Sequence, residues 1–315
     1  MKVLVAGGAG FIGGHLIDAL LSLGHNVVCA DSLCLGTEDM IRHCYGSPNF
    51  EFCKLDVRDS DKLNALFEKH SFQRVYHLAA NSDIQKGASD PSIDFHNTFL
   101  TTKSILDAMR SYGVKELLFA STSAVYGDMP GQLKEDAGGL APISYYGACK
   151  LASEALISAY ASMNGLSANI LRFPNVVGPR LTHGVIFDFI AKLKRNPREL
   201  EILGDGSQDK PYLYVADLVD AILAMQYNQT MDTFNIGVET STTVSRIADI
   251  VCEEMGLAGV QYKFTGGSIG WLGDVPRFSY DLTKIHSTDW KAKHNSDESV
   301  RLAARASLAH PKGIA

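Results

Sequence analysis

Tyr146 and Lys150 stand four positions apart in the stretch SYYGACK at residues 144–150. In a helix, positions i and i+4 share a face. The phenol and the ammonium therefore point the same way, and Tyr145 does not join them. A free phenol has a pKa near ~10 and is a poor base at neutral pH. A neighbouring ammonium favours the phenolate and lowers that pKa, so the pair is suited to moving a proton on and off a bound hydroxyl. Tyr-x-x-x-Lys is a loose pattern, and chance placement is the alternative reading. The surrounding chain decides between them.

A second constellation opens the chain, in MKVLVAGGAGFIGGHL. A strand at Val3–Val5 runs into Gly7-x-x-Gly10-x-x-Gly13 and then into a helix that begins with Phe11 and Ile12. Glycines in that context allow a tight turn and close approach of backbone to a pyrophosphate, which sits at the helix N-terminus. Asp31 ends the second strand, where an acid holds an adenosine ribose. A carboxylate there repels a 2′-phosphate, so NAD is expected over NADP. Asp56, followed by Val57 in KLDVRD, ends the third strand. It either meets the adenine amino group or caps the next helix.

These residues need a frame. Short apolar runs at Val3–Val5, Asn26–Ala30, Phe50–Lys54, Arg74–Leu78, Glu116–Ser121 and Ala168–Arg172 alternate with helical patterns at Phe11–Leu23, Ser60–Lys69, Ile93–Tyr112 and Tyr145–Met163. Such alternation predicts a parallel sheet covered on both faces by helices, an α/β doubly wound Rossmann fold. After about Phe173 the rhythm changes, with Pro174, Gly178, Pro179 and Gly184, then a helix at Val215–Tyr227, a strand near Thr233–Ile236 and a helix near Val244–Met255. We expect a NAD-binding domain over residues 1–172, with about 211–240 returning to it. The remainder of 173–315 forms a smaller mixed α/β region for substrate, interleaved with the first.

Composition narrows the class. The 315 residues are 46% hydrophobic and 20% charged, with a net charge of −6, as in ordinary globular proteins. The chain has no basic stripe, which argues against nucleic acid as a partner. It also has no apolar run of the roughly 20 residues that span a membrane. The six cysteines show no C-x-x-C and no zinc spacing, so no metal is expected, and a reducing, cytoplasmic setting fits.

Taken jointly, the stretches GGAGFIGGHL, LDVRD, VYHLAA, FASTSAVYGD, YYGACK, LRFPNVVGPR and ILGDGSQDKPYLYVADL make the chain resemble a known group. It is similar to the extended short-chain dehydrogenase/reductase superfamily, in its nucleotide-sugar epimerase/dehydratase branch. Within that branch it looks most like the UDP-glucose (UDP-galactose) 4-epimerase-like members. The resemblance implies Thr122, Tyr146 and Lys150 as catalytic residues. It implies Leu78, Ala79 and Ala80 as lining of the NAD site, and Asn97 as support for the active-site helix and its lysine. Lys150 also anchors the nicotinamide ribose. Ser82, Ser123, Asn175, Arg180, Lys210 and Arg277 are implied on the substrate side, with Thr122 and Tyr146. The resemblance also implies a nucleotide-diphosphate sugar as substrate and a homodimer formed through the two long helices.

The implied reaction is 4-epimerisation. Tyr146 takes a proton from the sugar hydroxyl while hydride leaves the same carbon for NAD, and hydride later returns to the opposite face. Thr122 holds the hydroxyl in line. In the related 4,6-dehydratases the catalytic Thr is followed by an Asp-Glu pair, whereas here Ser123 and Ala124 follow. A 4-dehydrogenase or dehydratase on the same redox centre, or a non-catalytic NAD-binding regulator, stays open as an alternative. Two departures stand out. Lys210 replaces an arginine, supplying a point charge without the bidentate fork. Ile269 replaces an arginine that pairs phosphate in similar members, a gap Arg180 or Arg277 would have to fill.

Overall fold

The computed structural model describes residues 1–227, 231–268, 270 and 273–309. Seven strands form the main sheet: β1 (Lys2–Ala6), β2 (Asn26–Asp31), β3 (Phe50–Lys54), β4 (Arg74–His77), β5 (Glu116–Thr122), β6 (Ser167–Phe173) and β7 (Met231–Asn235). Their spatial order is β7-β6-β5-β4-β1-β2-β3. The pairs β1–β2, β2–β3, β1–β4 and β4–β5 are parallel. The inner strands β1 and β2 are buried along almost their whole length. This is the pattern expected of parallel strands covered on both faces. The order reverses at β1 and β4, and ligands of doubly wound sheets bind beyond the carboxyl ends of strands at such a point.

Four helices serve this sheet: α1 (Phe11–Ser22), α2 (Ser60–Lys69), α3 (Thr101–Ser111) and α4 (Tyr145–Asn164). The helix expected over Ile93–Tyr112 is present but changes its winding along the way. A short α turn at Pro91–Asp94 runs into a π-helical segment at Phe95–Leu100, and only then into α3. The cause is local. The Thr101 hydroxyl donates to Thr98 O at 2.8 Å and to Asn97 O at 3.2 Å, and the Thr102 hydroxyl donates to Thr98 O at 3.0 Å. Hydroxyls that bond back to helix carbonyls compete with the backbone ladder and open it.

The chain divides into two compact units. The first comprises Met1–Gly127, Leu140–Arg172 and Ile222–Phe234; the second comprises Asp128–Gly139, Phe173–Ala221 and Asn235–Ala315. In the first, residues such as Leu4, Val28, Phe67, Ile105, Leu117 and Ile157 form the core between sheet and helices. In the second, a separate core gathers around α5 (Val185–Arg195), α7 (Val244–Glu254) and α8 (Ser296–Ala309), with Phe189, Ile190, Leu200, Val251 and Val300 fully buried or nearly so. Helix α6 (Val215–Ala224) lies between α5 and α7 in the chain.

Helix α4 carries the Tyr-x-x-x-Lys pair, and its seating is electrostatic as well as apolar. Ser144 caps its start by accepting from Gly147 N at 3.1 Å, and Gly165 ends it in the left-handed region at φ 62°. One turn beyond Lys150, Glu154 receives Arg172 of β6 through Nη2 at 2.6 Å and Nε at 3.0 Å. The Ser121 hydroxyl of β5 donates to the same carboxylate. Arg172 also donates to the Tyr126 hydroxyl at 2.9 Å. Both charged side chains are almost fully enclosed. Removing one partner of such a pair leaves an uncompensated buried charge.

Glu154→Ala is therefore expected to lower the unfolding free energy by about 3–5 kcal/mol, with the apolar double replacement of Glu154 and Arg172 recovering most of the loss. Denaturant titration of the three proteins checks this. A single-mutant loss under about 1 kcal/mol, the size of a surface pair, would remove the ion pair as what seats α4.

Candidate active site

The glycine turn sits at the switch point of the sheet. Gly7 follows β1 with φ 81°, and a Cβ there would lie 2.5 Å from Ala79 N and 2.7 Å from Ala79 Cα. Gly13 meets the turn from the helix side, since its Cβ would lie 2.4 Å from Gly7 O. Gly10 opens α1 with no side-chain cap hydrogen bond, so no capping side chain claims the first-turn amides. Phe11 and Ile12 stand in that turn, half-buried. Leu78, Ala79 and Ala80, also half-buried, continue from β4 directly beside it. A cradle that a single methyl would fill, at the carboxyl ends of the two strands where the order reverses, fits a dinucleotide pyrophosphate.

Asp31 ends β2 with its side chain turned inward. One carboxylate oxygen accepts from Ala9 N at 3.0 Å and the other from Leu33 N at 2.8 Å. Burial pushes its carboxyl above the usual range, and the two amides work against that. Asp56 accepts Arg58 Nη2 at 2.6 Å and Arg58 N at 2.9 Å, and the guanidinium holds its carboxyl below the usual range. The cap of α2 is Asp59, which accepts from Lys62 N at 3.2 Å. Of the two readings of Asp56, the helix cap thus goes to another residue. Val57 beside it is buried.

At the end of β5, Thr122 accepts from Ala124 N at 3.1 Å and starts a single 3-10 turn over Ser123–Val125. The Tyr146 phenol hydrogen-bonds the Thr122 side chain. This contact depends on Gly147, because a Cβ there would lie 2.5 Å from Ala124 O. Helix α4 can rest on the 3-10 turn only without a side chain at that position. Sequence reasoning missed Gly147. The available signal was a glycine inside a helical pattern immediately after the tyrosine. Tyr145 is turned out and half exposed, at 51%.

Lys150 is enclosed. Its ammonium donates to Ala120 O at 2.7 Å and lies 4.7 Å from the Phe119 ring and 5.8 Å from the Tyr146 ring. Burial pushes its pKa down to about 7, with Glu154 opposing. The half-buried Tyr146 is raised above the ordinary phenol range, first by burial, with Asp94 adding and the Thr122 bond opposing. The expected depression of the phenol is therefore corrected for the protein on its own. Loss of solvent outweighs the help that Thr122 gives the phenolate.

Asn97 is half-buried in the π segment, and the hydrogen bond of Lys150 goes to Ala120 O. The residue of that segment turned into the core is Thr98, which accepts from Asn81 N at 3.1 Å. His77 is fully enclosed and bonded to Thr102 at 3.0 Å. Desolvation first, and Lys150 second, bring its pKa down to about 3, so it is a neutral core residue.

The substrate-side residues fall in both units. Ser82 is exposed and Ser123 half-buried in the first. In the second, Asn175 is exposed on the strand Asn175–Val177, paired parallel with Tyr212–Tyr214, and its side chain hydrogen-bonds Tyr212. The Lys210 ammonium pairs with the buried Asp274. Arg277 is exposed and bridged through its backbone to Asp209. Arg180 takes a left-handed backbone, φ 64°, in the loop after Gly178. Ile269 lies outside the described residues.

The chain matches the model of the NAD dependent epimerase/dehydratase family over residues 3–237. It is 34% identical over 250 residues to the UDP-glucose 4-epimerase of Mycolicibacterium smegmatis, covering 77% of this chain and 79% of that one. Among solved structures it is similar to the UDP-glucose 4-epimerase of Thermus thermophilus in complex with NAD, with TM-score 0.88, 31% identity and coverage of 98% and 100%. It is equally similar to the Thermotoga maritima UDP-glucose 4-epimerase with UDP-glucose, with TM-score 0.88, 30% identity and coverage of 98% and 99%.

Replacing the enclosed ammonium should stabilise the ligand-free protein. Lys150 binds its proton less tightly folded than unfolded, so its cost is full below about pH 7 and fades as pH rises toward its ordinary value. Lys150→Met is expected to unfold at higher temperature than the parent at neutral pH, by a margin that shrinks on raising the pH. Thermal melts across that range check it. A margin that grows with pH would contradict the assignment.

Proposed function

The chain belongs to the NAD dependent epimerase/dehydratase family, and we propose that it is a nucleotide-sugar 4-epimerase acting on an NDP-hexose, with UDP the favoured nucleotide. The observation that carries this reading is the hydrogen-bonded Thr122–Tyr146 pair with Lys150 one turn along the same helix face. NAD, when bound, supplies the oxidation and re-reduction of the sugar carbon. Gly7, Gly10, Phe11, Ile12 and Gly13 hold its pyrophosphate and Asp31 the adenosine ribose. Asp56 and Val57 meet the adenine, and Leu78, Ala79 and Ala80 line the remainder. Lys150 holds the nicotinamide ribose, and Asn97 contributes through its backbone to the segment packed on α4.

Tyr146 takes the proton of the sugar hydroxyl and later gives it back, while Thr122 fixes the direction of that hydroxyl. Ser123 and Ala124 carry no acid or base, so no adjacent pair expels water from the ring. This favours epimerisation over dehydration. Ser82, Ser123, Asn175, Arg180, Lys210 and Arg277 contact the sugar nucleotide. Lys210, held by Asp274, meets the diphosphate together with Arg180 and Arg277. We place the protein in the cytoplasm, in keeping with six cysteines that form no disulfide, as a homodimer joined through α3 and α4.

A panel of UDP-, GDP-, dTDP-, CDP- and ADP-sugars, followed by proton NMR with NADH absorbance, tests the reading. Inversion at C4 without net NADH is expected. A keto product with stoichiometric NADH would make the enzyme a dehydrogenase, and a 6-deoxy-4-keto sugar would make it a dehydratase. Tyr146→Phe is expected to lower turnover by about 10²–10⁴-fold while NAD stays bound, as read by cofactor released on denaturation. Gly147→Ala should cost about 100-fold in turnover, because the added methyl lifts Tyr146 off Thr122. Steady-state rates on the identified substrate measure it, and a full rate would separate Gly147 from the positioning of the base.

A further inference from the structure

Asp18, His43 and Cys44 form a cluster away from the Thr122–Tyr146–Lys150 centre. Asp18 projects from α1, while His43 and Cys44 come from a single 3-10 turn at Arg42–Cys44. The His43 Nε2 lies 2.6 Å from Asp18 Oδ1, and the Cys44 thiol donates to that same oxygen at 3.7 Å. One oxygen, one nitrogen and one sulfur atom thus stand within 4.8 Å of one another. The thiol end is buried, and the imidazole end opens to solvent with about half its side chain exposed.

We propose that this cluster is a binding site for a thiophilic divalent cation of the zinc class. The donor set decides the class. A thiolate and an imidazole exclude magnesium and calcium, which take oxygen, and suit zinc and cobalt(II). Three protein ligands with a water in the fourth position make a tetrahedral site. On binding, the Cys44 S–H bond breaks, sulfur bonds the metal, and one proton leaves to solvent for each ion bound. Asp18 and the thiolate together carry the two negative charges that neutralise the ion. No paired motif in the sequence announces the site, because its ligands come from a helix and from a turn 25 residues further on.

The site ties α1 to the segment that closes over Asp31. In that segment Leu33 N donates to Asp31, Thr37 N donates to Ala9 O at 3.0 Å, and a Cβ on Gly36 would lie 2.8 Å from Ala9 O. A metal joining Asp18 to His43 and Cys44 fixes the two sides of the Asp31 pocket to each other.

Cobalt(II) titration of the metal-free full-length protein tests the proposal without reference to catalysis. One equivalent per chain is expected to produce a sulfur-to-cobalt charge-transfer band and the visible bands of tetrahedral cobalt, with release of one proton. Zinc should displace the cobalt and raise the unfolding midpoint. His43→Gln, on the exposed side, and Cys44→Ser should each abolish the band and the shift. Cys34→Ser, an exposed cysteine outside the cluster, should leave both intact. Absence of a thiolate band, or its persistence in Cys44→Ser or His43→Gln, would overturn the site.

Discussion

The Glu154 carboxylate under helix α4 is the constraint on which the active centre rests. It holds Arg172 of β6 and accepts from Ser121 of β5, and Arg172 reaches Tyr126 just beyond the 3-10 turn. Two strands, one helix and one turn therefore share a single buried charge pair. Lys150 stands one helical turn before that carboxylate and Tyr146 two turns before it. Thr122 stands next to Ser121 in the strand. The pair thus ties the helix that carries the base and the ammonium to the strand that carries the hydroxyl.

Burial is used unequally across the site. Around Lys150 and Tyr146 it works against charge, weakening the ammonium and tightening the phenol's hold on its proton. Around Asp31 two backbone amides offset part of the same cost. Asp56 keeps its charge through the Arg58 guanidinium at a more open position. The enclosed proton-transfer pair and the amide-held carboxylate are therefore two answers to one desolvation problem. In the first the groups are held toward their uncharged forms. In the second the charge is held by neighbours that do not titrate.

Much of this was legible in the residues. Phe50–Lys54 and Ser60–Lys69 have the bounds the sequence predicts, because turn residues flank clean apolar periods. The glycine turn was legible because its strand and helix context is local. Helix α5 was not read, although Ile186, Phe189, Ile190 and Leu193 recur at helical spacing. The preceding run of prolines and glycines obscured its start. Helix α8 was missed because its buried stripe is built largely from Ala303, Ala304, Ser299 and Ser307, which carry little hydrophobic contrast. The hold of Asp274 on Lys210 spans 64 residues, and nothing local to either residue signals it. Gly147 and Glu154 share that limit, since each acts through a neighbour that only the folded chain supplies.

The π segment at Phe95–Leu100 has a meaning for how such chains are compared. A wide turn holds one residue more than an α turn, so a position counted forward from Pro91 by helical spacing loses phase across it. Asn97 and Thr98 show how the segment is turned: Asn97 lies half out, and Thr98 faces the core. Motif distance is therefore a sound ruler within α4 and an unsound one between Pro91 and Thr101. Correspondences drawn through that stretch require three-dimensional superposition, and a one-residue gap placed there carries structural information.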